Sequence, residues 1–284
     1  MKKYINAHPV LSICLLSYLI TWMIQFPGLA SMRGQYQFNE QFLVLLNVSS
    51  YGPTLAALIV TIVTRGYSGI KSLLKRVVQW RVSLLVYLAV FFLFPLVSFL
   101  VYQALGIGAA EGENLFELFV TLVVLAPVNA IVGSILLDIG PLGEELGWRG
   151  FLLPRLLEKY GDLRASVILG LIWGFWHLPL FVFPEWRGDV PNWLAIGLYP
   201  ISTIAIAYTM TKFHHAGKGS VLPAILYHGI VNYTAGYIQN TDLWDIGRVT
   251  TVGREVIIVA LFIIMAVFTG LLFRRQSKRP VLEM

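Results

Sequence analysis

Charged residues are scarce in this 284-residue chain, at 13% of the total, whereas an average soluble domain has about 25%. Hydrophobic residues make up 57%. This balance excludes an ordinary water-soluble domain and indicates a protein whose solvent is a lipid bilayer. The net charge of +6 does not indicate nucleic-acid binding, because the basic residues are scattered between apolar runs, where they set membrane orientation.

Cysteine is nearly absent. The one cysteine, Cys14, lies in an apolar run, so an intrachain disulfide and a Cys-x-x-Cys metal pair are both excluded. The His-Glu-x-x-His pattern of zinc proteases is missing as well. No internal repeat and no soluble stretch longer than a loop interrupts the chain, so we expect a single membrane domain over residues 1–284.

Long uncharged segments are what the chain has in abundance. A spanning helix needs about 20 mostly apolar residues. The first such run is long enough to remain as a helix rather than be removed as a signal peptide. The sequence therefore predicts an all-α polytopic membrane protein with about eight transmembrane helices, at 10–27, 42–64, 83–105, 118–137, 165–184, 191–211, 220–241 and 256–273.

The basic residues predict the orientation. If the N-terminus is cytoplasmic and the spans alternate, all of the 21 Lys and Arg residues lie on the cytoplasmic side except Arg33, Arg187, Arg248 and Arg254. Positive residues favour the cytoplasmic side, so both termini are predicted to be cytoplasmic. The charged segment 138–164 completes the crossing that begins at residue 118, and we expect a break or kink at Gly140-Pro141.

Within that charged segment, two acidic residues begin a helical pattern. Glu145 and Arg149 are spaced i,i+4 with the acid first, the better order for an ion pair. Glu144 points elsewhere and shares a face with Trp148. A partly desolvated carboxylate beside an aromatic wall suits general-base catalysis. The plainer interpretation is a solvated acidic turn at the start of a membrane-surface helix.

Two further segments place histidines inside apolar runs. His177 is the one ionisable residue of its run, and Pro179 should bend the helix beside it. His228 and Asn232 are spaced i,i+4, so they lie on one helix face and offer a pair of donors for an oxyanion. Taken singly, each is explained equally well by a buried histidine or by hydrogen bonding between helices.

Together, these polar residues are the parts of a water-activating site. His177 and His228 lie at compatible depths from the cytoplasmic side. Glu144 matches that depth if its helix descends towards the cytoplasm and ends near Tyr160-Gly161. We therefore expect an active site in a cavity that is open to the cytoplasm, because water must reach it.

The order and spacing of these residues resemble the three-motif signature of the CPBP (CAAX-processing and bacteriocin-processing) intramembrane proteases. This group is also called the Abi family or type II CAAX prenyl endopeptidases. The resemblance rests on Glu144-Glu145-x-x-x-Arg149, on an aromatic residue, Trp173, four positions before His177, and on His228-x-x-x-Asn232. Family members usually have Phe where this chain has Trp173. The resemblance places the catalytic core at about 115–240.

The resemblance implies a role for each residue. Glu144 activates water, His177 positions it, and His228 and Asn232 stabilise the oxyanion. Glu145 and Arg149, with Trp148 and Trp173, support these groups from behind, and we expect Glu145→Ala to act mainly by disturbing the helix around Arg149. The implied enzyme is a glutamic endopeptidase without cofactor. Its metalloprotease alternative would use zinc, with Glu144, His177 and His228 as ligands.

The implied substrate is a peptide or protein, with lipidation left open. The implied setting is the lipid bilayer of a bacterial or archaeal cell membrane, without nucleic acid. Two other classes stay open. A membrane carrier also uses broken helices and intramembrane ionisable groups, although it usually has two corresponding halves. A non-catalytic immunity protein would tolerate Glu144→Gln, whereas an enzyme would not.

Overall fold

The computed structural model describes residues 2–32, 48–106, 115–137, 139–182, 190–240 and 250–275. Every regular element in these ranges is helical, which confirms the predicted all-α class. The α-helices are α1 (Lys2–Ala7), α2 (Pro9–Met32), α3 (Gly52–Lys75), α4 (Leu84–Leu88), α5 (Phe94–Ala104), α6 (Leu115–Phe119), α7 (Ala126–Val132), α8 (Ile139–Glu145), α9 (Leu153–Trp176), α10 (Asn192–Ala216), α11 (Leu222–Asn240) and α12 (Thr251–Leu272).

Short wider turns connect several of these helices. π-Helical turns join α4 to α5, α6 to α7 and α8 to α9, at Ala89–Leu93, Val120–Leu125 and Leu146–Leu152, and a further one, Gly133–Leu137, follows α7. Two 3-10 turns, Ser49–Tyr51 and Leu178–Val182, lie before α3 and after α9. Turns of the π type are frequent at functional sites.

Six described helical stretches are long and apolar enough to cross a bilayer: Pro9–Pro27, Ser49–Lys75, Leu84–Ala104, Leu115–Leu136, Trp193–Ala216 and Thr251–Leu272. The protein is therefore an all-α polytopic membrane protein. The predicted spans 165–184 and 220–241 fall largely in α9 and α11, whose charged or polar residues lower their hydropathy. The total of about eight spans stays a prediction. So does the orientation, since Arg33, Arg187 and Arg248 lie outside the described residues.

The second helix shows an inside-out distribution that suits a membrane. Leu15, Leu19 and Met23 are more than half exposed. Ser17 and Thr21, on the opposite face, are fully buried. A water-soluble helix places its apolar side chains inwards, so this outward apolar face is expected to contact lipid.

A new helix, α8, begins at Ile139 with Pro141 in its first turn, where a missing N–H does no harm. Residue 138, directly before it, lies outside the described residues, so the break or kink expected at Gly140-Pro141 stays a prediction. Further along the chain, the helical path ends at Gly161, as expected for the helix that carries Glu144. Gly161 has a φ of 70°, in the left-handed region that glycine adopts without steric cost. The rest of α9, from Asp162 to Trp176, therefore runs in a new direction.

That second half of α9 packs closely against α10. A Cβ atom added at Gly170 would lie 2.5 Å from the Cα atom of Ile204, so only glycine permits this approach. The Thr203 hydroxyl donates to the Gly170 carbonyl at 2.9 Å. Small residues and interhelical hydrogen bonds are the usual means of holding helices together in membranes. The contact fixes the second half of α9, which ends directly before His177.

Candidate active site

Glu144 lies near the end of α8 and is buried. Its Oε2 atom accepts a hydrogen bond of 2.6 Å from the indole Nε1 of Trp173, on α9. Its Oε1 atom makes no hydrogen bond to any other described residue. One carboxylate oxygen is thus held by the protein, and the other is available to a small polar molecule.

Glu145 and Arg149 form the ion pair that their spacing predicts. Arg149 Nη1 lies 2.8 Å from Glu145 Oε1, and both side chains are completely buried. The same Oε1 atom also lies 2.8 Å from Nδ1 of His228, on α11. Sequence spacing predicted the first partner and missed the second. Glu145 therefore links α8 to α11, in addition to holding the backbone around Arg149.

His177 lies directly after α9 rather than inside a continuous helix over 165–184. The α-helix ends at Trp176, and its continuation as a 3-10 turn contains Pro179, which agrees with the expected bend. The backbone N–H of His177 bonds to Gly174 instead of Trp173. The Trp173 carbonyl is therefore available to accept a hydrogen bond of 2.8 Å from His177 Nδ1.

These contacts define the protonation of the two histidines. A carbonyl oxygen only accepts, so Nδ1 of His177 carries a proton, and Nε2 is an acceptor when the ring is neutral. Nδ1 of His228 likewise faces a carboxylate that is already paired with Arg149, so it is a donor. When His228 is charged, its Nε2 also carries a proton. That atom makes no hydrogen bond to another described residue.

The side chain of Trp173 lies at the centre of this group. Its ring centroid is 5.6 Å from that of His177 and 5.3 Å from that of His228, both in edge-on contacts. The Arg149 guanidinium lies over the indole, 4.4 Å from the centroid. Three helices distant in sequence thus bring Glu144, His177 and His228 around one aromatic side chain. We call this cluster, together with Glu145 and Arg149, the Glu144 site.

Two expected residues, Asn232 and Trp148, have surroundings that differ from those of the cluster around Trp173. Asn232 is one turn beyond His228 on the same face of α11, and its side chain is exposed. Trp148 is buried in the π-helical turn and packs edge-on against Trp176 at 6.0 Å. Trp176 in turn contacts the His177 ring at 4.7 Å. Trp148 therefore supports the His177 ring indirectly, through Trp176.

Sequence reasoning missed three residues that support His177. Tyr199 of α10 contacts its ring edge-on at 5.3 Å. From α2, the Tyr18 hydroxyl donates to the Ile172 carbonyl, and Trp22 Nε1 donates to the Trp176 carbonyl at 2.9 Å. Tyr18 and Trp22 are spaced i,i+4 on α2, so the sequence does place both donors on one helix face. It does not indicate that this face packs beside the end of α9.

The described residues contain no group of three or more His, Cys, Asp or Glu side chains arranged to hold a metal ion. A metal-ligating histidine commonly donates its other ring nitrogen to a carbonyl or carboxylate, as Nδ1 of His177 and Nδ1 of His228 do here. The zinc alternative therefore stays a prediction beside the metal-free one.

Comparison with known proteins finds a family that the core of this chain is similar to. Residues 119–234 match the model of a family described as type II CAAX prenyl endopeptidase Rce1-like. This match supports the resemblance of the three motifs to the CPBP family. The matched residues include Glu144, His177, His228 and Asn232, so the Rce1-like core contains every residue of the three motifs.

One relative of this chain is "CAAX prenyl protease 2" of Methanococcus maripaludis, 27% identical over 122 residues. The alignment covers 40% of this chain and 45% of that protein. The chain thus matches a little under half the length of the curated relative. The helices before residue 119, including α2, lie outside the family match.

Proposed function

We propose that this protein is an intramembrane endopeptidase in which Glu144 activates a water molecule. The observation that supports it most directly is the convergence of Glu144, His177 and His228 around the Trp173 ring. A base, an orienting imidazole and a cationic donor in one buried place are what acyl transfer to water requires.

The first step is attack by water. Glu144 Oε1 takes one proton from water, while Nε2 of His177 accepts a hydrogen bond from the other, and the water oxygen bonds to the peptide carbonyl carbon. The carbonyl π electrons move to oxygen and form a tetrahedral oxyanion. His177 is suited to the orienting role because the Trp173 carbonyl holds its proton on Nδ1.

The second step is collapse of that intermediate. The oxyanion is stabilised by the Nε2–H of charged His228, whose other nitrogen is balanced by Glu145, and by the Asn232 amide. The C–N bond then breaks, and the proton held by Glu144 passes to the leaving amine. The immediate products are a carboxylic acid and an amine, which become a carboxylate and an ammonium ion when the acid proton passes to the amine, and Glu144 returns to its ionised state.

The substrate is proposed from the family and the relative. We take it to be a protein or peptide cut near its C-terminus, of the prenylated CAAX type that the relative's name specifies. The proposed setting is a bacterial or archaeal cell membrane with both termini in the cytoplasm and the cavity open to that side. No nucleic acid and no cofactor take part.

The test uses wild type, Glu144→Gln and Asp162→Asn in detergent, with fluorogenic CAAX peptides that carry or lack a prenyl group. Asp162→Asn is the matched control, because it makes the same carboxylate-to-amide change outside the Glu144 site. We expect wild type and Asp162→Asn to cleave the prenylated peptide, Glu144→Gln to be inactive, and a strong chelator to change nothing. Loss of activity with chelator and recovery with zinc would contradict the metal-free mechanism. A folded wild type that cuts no peptide would favour the carrier or immunity classes.

A further inference from the structure

Trp173 contacts both groups that act on water in the proposed reaction. Its indole Nε1–H donates to Glu144 Oε2 at 2.6 Å, and its backbone carbonyl accepts from His177 Nδ1 at 2.8 Å. The side chain is 2% exposed, so neither contact competes with bulk water. A single residue thus fixes the base and the orienting imidazole relative to each other.

The indole N–H has a chemical property that matters here. It only donates, so it cannot accept the proton that the Glu144 carboxyl group takes from water in the proposed reaction. By binding Oε2 it restrains the Glu144 carboxyl group and leaves Oε1, which makes no hydrogen bond to another described residue, for the water of the proposed reaction. A phenylalanine at this position would fill much of the same space but would offer no N–H.

The surroundings of the indole prevent it from moving away. The Arg149 guanidinium lies over its face at 4.4 Å, and the His228 ring meets it edge-on at 5.3 Å. A hydrogen bond to a charged acceptor is short and about twice as strong as a neutral one. The donor is therefore positioned before any substrate arrives.

We propose that Trp173 is a positioning residue for hydrolysis, which orients the Glu144 carboxylate through its indole N–H and His177 through its carbonyl. The inference rests on the proposed function for its catalytic meaning, although the contact itself is testable without substrate. Residue 173 is also where this chain differs from the Phe that is usual in the family it resembles.

The first experiment measures the contact directly. In protein labelled with ¹⁵N-tryptophan, the Trp173 Nε1–H signal is identified by its loss in Trp173→Phe. We expect this signal to lie at high proton frequency in wild type and to move upfield in Glu144→Ala. The signal of exposed Trp193 serves as the control and should not move. An unchanged Trp173 signal would overturn the proposal, whether or not any peptide is cleaved.

The second experiment measures the consequence for catalysis. Trp173→Phe is compared with a protein carrying β-(3-benzothienyl)alanine at 173, which keeps the indole shape and replaces N–H by sulfur. Loss of a hydrogen bond to a charged group is expected to lower kcat about tenfold in both proteins, with KM within about twofold. The acidic limb of the pH–kcat profile should also move to higher pH by about one unit, because the ionised carboxylate loses a donor.

These readouts separate positioning from packing. If the sulfur analogue behaves like wild type in kcat and in pH profile, the N–H has no role and the proposal is wrong. Normal kcat in Trp193→Phe is the control for a Trp→Phe change elsewhere. If Glu144→Gln retains full activity while the Trp173 signal still moves in Glu144→Ala, the contact stands and the proposed function fails.

Discussion

The two ends of the second half of α9 carry two clusters of ionisable side chains, and they differ in what remains unpaired. At its start, Asp162 Oδ2 binds Lys212 Nζ at 2.6 Å and Oδ1 binds His215 Nε2 at 2.9 Å, both on α10. We call these three residues the Asp162 clamp. At its other end, Glu144 has one oxygen held by Trp173 and one without a hydrogen bond to another described residue.

Asp162 has a structural role, whereas Glu144 has the arrangement of a reactive group. A carboxylate with a lysine or histidine nitrogen on each oxygen is fully satisfied, and its geometry joins two helices. A carboxylate with one unused oxygen in a buried place retains capacity to bind and deprotonate water. The difference is also one of solvent: the Asp162 side chain is 19% exposed, whereas Glu145 and Arg149 are fully buried.

Glu144→Gln is the change that should separate the two ends most clearly. We expect it to lower the cleavage rate about 10³-fold, the scale of general-base catalysis, while thermal stability in detergent stays within a few degrees. Glutamine keeps an acceptor for Trp173 but cannot take a proton. Rate assays and melting curves of the same preparation measure both. A similar loss of rate in Asp162→Asn would mean that the two ends do not differ in function.

Glu145→Gln should reduce both rate and stability. It leaves the buried Arg149 guanidinium without its counter-charge, a loss of about 3–5 kcal/mol in stability. It also weakens the partner of His228 Nδ1, so we expect cleavage per folded molecule to fall about 100-fold. Activity normalised to the folded fraction, with Glu144→Gln as the stability control, separates the effects. Wild-type activity in the folded fraction would show that Glu145 acts on the helix alone, as its spacing with Arg149 predicts.

Trp22→Phe tests whether a helix outside the family match holds the catalytic end of α9. The change removes the hydrogen bond to the Trp176 carbonyl and should cost about 1–2 kcal/mol in stability. Because that carbonyl precedes His177, we expect a loss of rate of a few-fold. Exposed Trp193 provides the control, Trp193→Phe. Equal rates in the two variants would limit α2 to lipid contact.

Asp162→Asn should have the smallest effect, and one that depends on pH. Burial raises the pKa of Asp162, but hydrogen bonds and charge attraction from His215 and Lys212 outweigh it and hold the pKa below its usual value. The carboxylate therefore adds stability above its unfolded pKa of about 4, and that stability is lost as pH falls through the lower folded pKa. We expect less than about 1 kcal/mol at pH 7, given partial exposure.

The measurement for Asp162 is the difference in melting temperature between wild type and Asp162→Asn at pH 7 and below pH 4. That difference should shrink at the lower pH. Glu158→Gln, an exposed acid on the same helix, is the control. A difference that grows as the pH falls would contradict the depressed pKa.

Several parts of the fold and site could be predicted because they depend on local spacing. The i,i+4 rule gave the Glu145–Arg149 pair, and Pro179 marked the end of α9 beside His177. Pro141 lies in the first turn of α8, which begins at Ile139, and the break expected at Gly140-Pro141 stays a prediction because residue 138 lies outside the described residues. The roles of Asn232 and of the cytoplasmic cavity remain predictions.

The sequence by itself determined that this protein is helical, lies in a membrane and carries three polar motifs, since composition and short-range spacing are properties of the chain alone. Only the tertiary structure decided that Glu145 binds His228, that Trp173 donates to Glu144, and that α2 binds the end of α9. The physical reason is distance along the chain. These contacts join residues 29 to 154 positions apart, and no local pattern specifies which helices become neighbours.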